Sequence, residues 1–384
     1  MRCTTAGESH GRALVALVTD VPAGIALDQA AIDADLARRQ AGYGRGGRMR
    51  IETDRALVLS GVRFARTIGS PVTLTIGNRD CDNWTDVMAT VGDKPDGIRE
   101  TSPRPGHADL AGVLKTGSDD CRDVLERASA RETAARVAGG AVAKALLRHV
   151  GVEVRSFVTR IGPVAWAGVP DDPSDVDAAA VESSDVRCPD TAAAAAMRAA
   201  IDEARDAGDS LGGVFAVYAT GLVPGLGGYS QADQRLDARL AGAVVSIPAI
   251  KGVEFGIGFR AGGLPGSKVH DEIVWADGSG YDRATDRSGG LEGGMTSGGT
   301  LWLSAVMKPI PTLTSPLHSV DLDSKRVVDA SKERSDVCAV PAAAVVAEAE
   351  VALVLATAYA EKFGGDCVGD LVAALTAYRE RIAR

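Results

Sequence analysis

Two of the chain's five histidines sit in short glycine-bracketed segments, Gly7-Glu8-Ser9-His10-Gly11 and Arg104-Pro105-Gly106-His107-Ala108-Asp109. Glycine lets the backbone turn tightly and lets a ligand come close. An imidazole held there changes charge near neutral pH and moves protons. Between Leu36 and Ile51 lie Arg38, Arg39, Arg45, Arg48 and Arg50, with no acid among them. Such a run is either a solvated basic face or a local site for a polyanion, and alone it favours neither. Arg127-Ala128-Ser129-Ala130-Arg131-Glu132-Thr133 also reads two ways. Ser129 and Glu132 have the spacing of a capping box, and the same helix start flanked by Arg127 and Arg131 would hold an anion.

Those segments need a frame. The chain has 384 residues, 45% hydrophobic and 24% charged, the profile of a globular protein of one large domain or two ordinary ones. Aromatics make up 4%, so the core must be built from small aliphatic side chains. The net charge of -9 argues against a general nucleic-acid binder. The six cysteines form no CxxC pair and read as reduced thiols of a cytoplasmic protein. The stretch 342–360 is apolar, but Glu348 and Glu350 interrupt it. It reads as a core helix opened by Pro341 and ended by Gly364-Gly365, not as a membrane span.

Periodicity gives strands at 13–19, 50–53, 56–60, 71–76, 152–161, 214–220 and 301–307. It gives helices at 28–39, 120–149 with a break near Ala128, and 191–207. Residues 99–109 read as a loop. Part of the pattern recurs at an offset of 201 residues. Ser9-His10-Gly11 leads into 13–19 and then a helix, and Ser210-Leu211-Gly212 leads into 214–220 and then a helix at 236–240. A weak duplication, about 9–40 and 210–241, implies one pseudo-symmetric body spanning 1–384 in which only the first copy carries a histidine.

No His/Cys/Asp group has metal-ligand spacing, so no metal is expected. No nucleophile elbow, Walker loop or dinucleotide fingerprint is present. Gly289, Gly290, Gly293, Gly294, Gly298 and Gly299 make 288–300 a loop whose backbone N–H groups suit cofactor oxygens. Lys308-Pro309-Ile310-Pro311-Thr312 alone is a stiff turn, and Asp336 alone a surface acid.

Taken in order, the segments at 7–11, 104–109, 127–133, 250–254, 289–294, 308–309 and 334–336 resemble the chorismate synthase family, over residues 3 to about 365. The resemblance implies an α/β fold, a β-α-β sandwich with helices enclosed between antiparallel sheets, assembled as a homotetramer. It implies a lyase that removes phosphate from 5-enolpyruvylshikimate 3-phosphate by 1,4-anti elimination, giving chorismate. It implies reduced FMN as an electron-lending cofactor, renewed by an external flavin reductase with NADPH only an indirect reductant. Arg39, Arg45, Arg48, Arg104, Arg131 and Arg334 would bind the anionic substrate. His10 would protonate the leaving phosphate, His107 would sit at the flavin's N1/C2 edge, and Asp336 with Ser9 as relay would take a proton from N5. FMN contacts would come from Arg127, Ala128, Ser129, Pro248, Ala249, Gly293, Lys308, Pro309, Ile310, Pro311, Thr312 and Arg334. Two other readings compete: a flavin-free enzyme releasing phosphate from an anionic metabolite, and a scaffold that keeps the fold without activity. The first leaves the glycine-rich loop and Asp336 unused, and the second predicts loss of His10, His107 or Asp336.

Overall fold

A computed structural model describes residues 1–46, 52–276, 280–333 and 335–383. Arg48 and Arg334 lie outside the described residues. The main elements, in chain order, are β1 (Arg2–Ala6), β2 (Ala13–Thr19), α1 (Gln29–Gln40), β3 (Ala56–Ser60), β4 (Val72–Gly77), α2 (Asp109–Thr116), α3 (Cys121–Ala128) and α4 (Thr133–His149). There follow β5 (Glu153–Ile161), β6 (Val164–Ala165), α5 (Thr191–Asp206), β7 (Gly213–Thr220), α6 (Leu236–Val245), β8 (Ile250–Phe255), β9 (Leu301–Met307), α7 (Val340–Phe363) and α8 (Val368–Ile382).

Two antiparallel sheets enclose the helices. The first has the order β1-β2-β4-β3 and the second β8-β9-β7-β5-β6. Alternation in β2 turns Leu14, Ala16 and Val18 into the core and leaves Leu17 partly exposed. Helix α4 packs on the first sheet, α7 on the second, and the two helices pack on each other. Small residues make that double layer possible. A Cβ on Gly140 would lie 2.3 Å from the Cβ of Ala349, so α4 and α7 approach at a glycine-alanine contact. This is where the alanine-rich composition goes. Helix α7 passes the length and composition test for a membrane span, yet 78% of its most apolar window is buried inside the protein. Pro341 lies in its first turn and Gly364 caps its end.

Helix α1 is capped by Asp28, which accepts from the Ala30 N–H at 2.9 Å. Helices α3 and α4 are separate, with a 3-10 turn at Ala130–Glu132 between them. Four expectations need correction. Strand β1 precedes the first histidine segment, and α2 begins at Asp109 inside the expected loop. Residues 52 and 53 are extended but form no strand, while 50 and 51 lie outside the described residues. The capping box does not close. Ser129 accepts from the Arg131 N–H, but the Glu132 carboxylate turns to Arg136 at 2.7 Å, because that guanidinium lies one helical turn on.

Strands β2 and β7 hold internal positions in opposite sheets. The loop entering β2 carries Ser9 and His10. In the loop entering β7, the Ser210 hydroxyl donates to the Ile310 carbonyl at 2.7 Å and so fixes the 308–312 segment.

Candidate active site

The Ser9-His10 loop is held from three sides. Gly7 takes φ +102°, and a Cβ there would lie 2.3 Å from the Ala13 carbonyl oxygen, so only glycine makes this turn. Asn78, just after β4, donates from Nδ2 to the carbonyls of Glu8 at 3.1 Å and Gly11 at 2.7 Å. Glu126 of α3 accepts the His10 backbone N–H on Oε2 and faces His10 Nδ1 with Oε1, both at 2.7 Å. Trp84 stacks on the imidazole, with centroids 4.0 Å apart. His10 is buried. Burial would push the Glu126 carboxyl up, but the hydrogen bonds and charge of His10 hold it below its ordinary value.

The second histidine is oriented in the same manner. His107 Nδ1 is hydrogen-bonded to Asp109 Oδ1, and Asp109 begins α2. Burial opposes ionisation of Asp109, but His107 and Arg104 outweigh it and hold the carboxyl far below its usual range. An ionised carboxylate only accepts, so Nδ1 is the donor. Arg104 Nη2 lies 3.1 Å from the same nitrogen. A guanidinium only donates, so this contact is a close approach of charge rather than a second hydrogen bond. Arg104 is itself fixed by Asp109 through Nε at 2.8 Å and by Thr312 Oγ1 through Nη1 at 3.0 Å.

Arg39 and Arg131 come from α1 and the 3-10 turn, and they share Asp54. Arg131 Nη1 lies 2.7 Å from Asp54 Oδ1, and Arg39 Nη1 lies 3.3 Å from Oδ2. Arg131 Nε donates to Asn78 Oδ1 at 2.9 Å, but its buried Nη2 has no hydrogen-bond partner among the described residues. Burial lowers the Arg39 value against the pull of Asp54, and Arg131 and Arg45 push the same way as burial. Arg45 Nη1 meets Asp336 Oδ2 at 2.8 Å, and the Gly46 N–H donates to Asp336 Oδ1 at 2.6 Å. A Cβ on Gly46 would lie 2.7 Å from the Ser335 carbonyl oxygen, so this approach also requires glycine. Lys308 donates to the Gly106 carbonyl at 2.9 Å, and burial followed by repulsion from Lys251 lowers its value.

These groups surround one cavity of about 480 Å³. Ser9, His10, Arg39, Arg45, Arg104, His107, Arg131, Lys308 and Asp336 line it. Leu125, Ala128, Ala130, Pro248, Ala249, Met307, Ile310, Pro311 and Ala339 give it an apolar side, and Ser129 and Thr312 also reach it. The cavity therefore combines apolar side chains with several cations, a lining suited to an aromatic ring carrying an anion beside it. Ser9 Oγ donates to Ser129 Oγ at 3.1 Å, which joins the histidine loop to the α3–α4 break.

Three expected contacts fall elsewhere. The Arg127 guanidinium is taken by carbonyls of β1 and its turn, at 2.9 Å for Thr5 and 3.2 Å for Gly7. Gly293 sits in a hairpin of Leu291–Glu292 with Met295–Thr296, away from this cavity. Pro309 is not part of the wall, although both its neighbours are. Residue-by-residue reading missed Glu126, Asp54, Asn78 and Trp84. Asp109 stood inside a quoted segment without a role. Glu126 left one trace in the sequence: it is an acid in the last turn of a helix, where the dipole disfavours it.

A sequence model of the family described as chorismate synthase matches residues 1–360. The chain is 54% identical over 383 residues to a chorismate synthase of Desulforudis audaxviator, covering 100% of this chain and 98% of the relative. It is 56% identical over 382 residues to one from Moorella thermoacetica, covering 99% and 98%. It is 54% identical to one from Bacillus velezensis over 372 residues, covering 95% of each. A crystal structure of a chorismate synthase superposes with a TM-score of 0.80 at 39% identity, over 100% of this chain and 98% of that one.

Proposed function

The chain belongs to the chorismate synthase family, and we propose that its cavity eliminates phosphate from 5-enolpyruvylshikimate 3-phosphate to give chorismate, as a carbon–oxygen lyase dependent on reduced FMN. One observation carries the reading. Arginines from α1, the 41–46 segment, the 104–109 segment and the α3–α4 break converge on one cavity that apolar residues also line. A substrate with two carboxylates and a phosphate needs that cationic wall.

The residues fit the cofactor. Ala128, Pro248, Ala249, Ile310 and Pro311 supply an apolar surface for a flat ring, and Ser129, Thr312 and Lys308 supply polar contacts at its rim. When bound, reduced FMN lends electron density while the carbon–oxygen bond breaks and recovers it as the hydrogen leaves. His10 gives a proton to the departing phosphate. Asp336, held by Arg45 and the Gly46 N–H, receives a proton with Ser9 as relay. His107 bears on the ring edge, with Arg104 and Asp109 setting its charge environment. Arg39, Arg45, Arg104 and Arg131 clamp the substrate. Buried donors aimed into the cavity cost no reorganisation when charge develops on the leaving group.

Anaerobic phosphate release with reduced FMN and the substrate tests this. Phosphate must appear with one equivalent of chorismate and without net flavin oxidation. Release that is equally fast without flavin would assign the cavity to a flavin-free elimination.

Three further readings accompany this one. The chain is a single duplicated domain, supported by the matching places of β2 and β7 and by Ser9 and Ser210 both acting at the cavity. It is a cytoplasmic homotetramer, supported by six free thiols and by exposed Leu57, Leu59 and Leu17 on the outer face of the first sheet. Sedimentation should give four chains. Its FMN is reduced by an external enzyme, so NADPH alone should not sustain turnover in purified protein.

A further inference from the structure

We propose that Glu126 is a positioning residue that fixes His10 with its proton on Nδ1, so that delivery to the leaving phosphate runs through Nε2. The proposal rests on the reading of His10 as the proton donor. Glu126 grips the loop at three points. Its carbonyl accepts the Ser9 N–H at 2.9 Å, and its two carboxylate oxygens meet the backbone N–H and Nδ1 of His10 at 2.7 Å each. Backbone and ring are therefore set by one side chain. Both residues are buried. The indole of Trp84 lies on the imidazole, and the Arg122 guanidinium lies 5.0 Å above Trp84. Arg122 also reaches Glu126 Oε1 at 3.3 Å and Glu333 at 2.8 Å.

The carboxylate accepts and does not donate, so Nδ1 must carry a hydrogen in both the neutral and the charged ring. The imidazolium is the form with an acidic Nε2–H. In the transfer, the Nε2–H bond breaks and a phosphate O–H forms. The ring is left neutral, with its Nδ1–H still given to Glu126. A second cavity of about 1190 Å³ also has His10 and Glu126 in its lining, together with Asp82, Asp86 and Asp123. An acid in the last turn of α3 works against the helix dipole, and local rules are broken in this way where function requires it.

Glu126→Gln keeps the shape and one acceptor. The amide oxygen takes the His10 backbone N–H, and the amide N–H then points at Nδ1 and forces the hydrogen onto Nε2. Wrong-tautomer substitutions of this kind cost up to about 10⁴ in turnover. For Glu126→Gln we expect kcat to fall by about 10² or more, KM to stay within about threefold, and partial recovery in Glu126→Asp. A loop anchor alone would not move the second readout, the 15N spectrum of labelled histidine, with the His10 signal assigned by its loss in His10→Ala. Wild type should show a hydrogen on Nδ1 of neutral His10, and Glu126→Gln a hydrogen on Nε2. Unchanged kcat, or a lower kcat with an unchanged tautomer, overturns the proposal. Should the variant fail to fold, the wild-type spectrum alone decides, because a bare Nδ1 is incompatible with it. A wild-type chain that releases no phosphate defeats the reading of the reaction, while the spectrum still decides the pairing.

Discussion

Arg38 and Arg39 are neighbours in the last turns of α1, yet they serve opposite ends. Arg38 turns to Glu348 of α7, a carboxylate with no exposure, and binds it twice, at 2.7 and 2.8 Å. Lys144 at 2.8 Å, Ser156 at 2.6 Å and Arg187 at 3.4 Å complete the shell around Glu348, and Asp35 and Glu182 close the outside. The cluster has three cations and three carboxylates. Burial opposes the charge on Glu348, but Lys144 and Arg38 outweigh it and hold the carboxyl far below its usual range. Arg39 turns the other way. It meets Thr133 Oγ1, the Ala130 carbonyl and half of an aspartate shared with Arg131. Around the cavity, Lys308 finds a carbonyl rather than a carboxylate, and Arg131 Nη2 finds no hydrogen bond, only Glu52 Oε2 at 3.9 Å. Neither residue types nor charge balance separates the two clusters; placement does, since only the second borders a cavity. A buried cluster closed on itself holds helices together, and one at a cavity wall can meet an anion.

The two clusters should therefore fail differently. On the cavity side the largest losses are in rate. His10→Ala and His107→Ala should each lower turnover by about 10² to 10⁴, with circular dichroism and melting temperature close to wild type. Anaerobic phosphate release checks the first and a thermal melt the second. Normal turnover in either variant removes that histidine from the chemistry. On the other side, Glu348→Ala should cost about 3 to 5 kcal/mol of stability, since three cations stay buried without their anion. Turnover per folded molecule should be unchanged. The pH sign follows from the depressed value. Stabilisation by Glu348 is fully present above the ordinary carboxylate pKa, about 4.3, and is lost only as pH falls below that range. A urea titration at neutral pH measures the loss. A stable variant with reduced turnover would show that the comparison has been drawn between the wrong clusters.

The two clusters also differ in how far the sequence revealed them. Strand β2 was placed to the residue because 13–19 is an unbroken apolar run ending in Thr19, set off by the glycine-bracketed turn before it. Helix α7 was placed because Pro341 and Gly364 punctuate a long apolar run. Strand β1 was missed because its inner positions are Cys3 and Thr5, only half-buried, so it carries no alternating signal. At the site, the groups inside glycine-bracketed segments were legible, and Ser9, His10, Arg104 and His107 do line one cavity; Asp336, which lines it too, was marked only by the family resemblance. Their partners were not. Glu126 lies 116 residues from His10, and Glu348 lies 310 from Arg38. Long-range pairing of ordinary acids leaves no local pattern. Arg38, like Arg39, belonged to the basic run, and nothing in its neighbourhood told the arginine bound to Glu348 from the one that lines the cavity.

A smaller effect sharpens the functional side. Arg45→Ala removes a cation that touches Asp336 and lines the cavity, while Asp336 keeps the Gly46 N–H. A charge-assisted hydrogen bond contributes about 1.5 to 3 kcal/mol. The KM for the substrate should therefore rise by roughly ten- to a hundredfold, with a far smaller change in melting temperature than Glu348→Ala causes. A fall in kcat at constant KM would instead place Arg45 with Asp336 in proton transfer, and would move it out of the clamp.

The smallest effect concerns a buried anion instead of a cation. Asp286 borders the glycine-rich loop and has no ion pair among the described residues. Its Oδ2 accepts the Thr300 N–H at 3.2 Å, and its buried Oδ1 has no hydrogen-bond partner among the described residues. Burial pushes the carboxyl up to about 6, and the charges of Asp172, Asp271 and Asp282 add to the push. An acid raised in the folded state favours folding while it is protonated. That contribution is complete below the unfolded value of about 3.9 and is lost as pH climbs through about 6. Asp286→Asn keeps the acceptor for Thr300 and removes the charge. The variant should melt with wild type near pH 4 and a few degrees above it at pH 7.5, with turnover unchanged. An equal difference at both pH values would mean that ionisation of Asp286 costs nothing, and that imbalance here is absorbed by solvent.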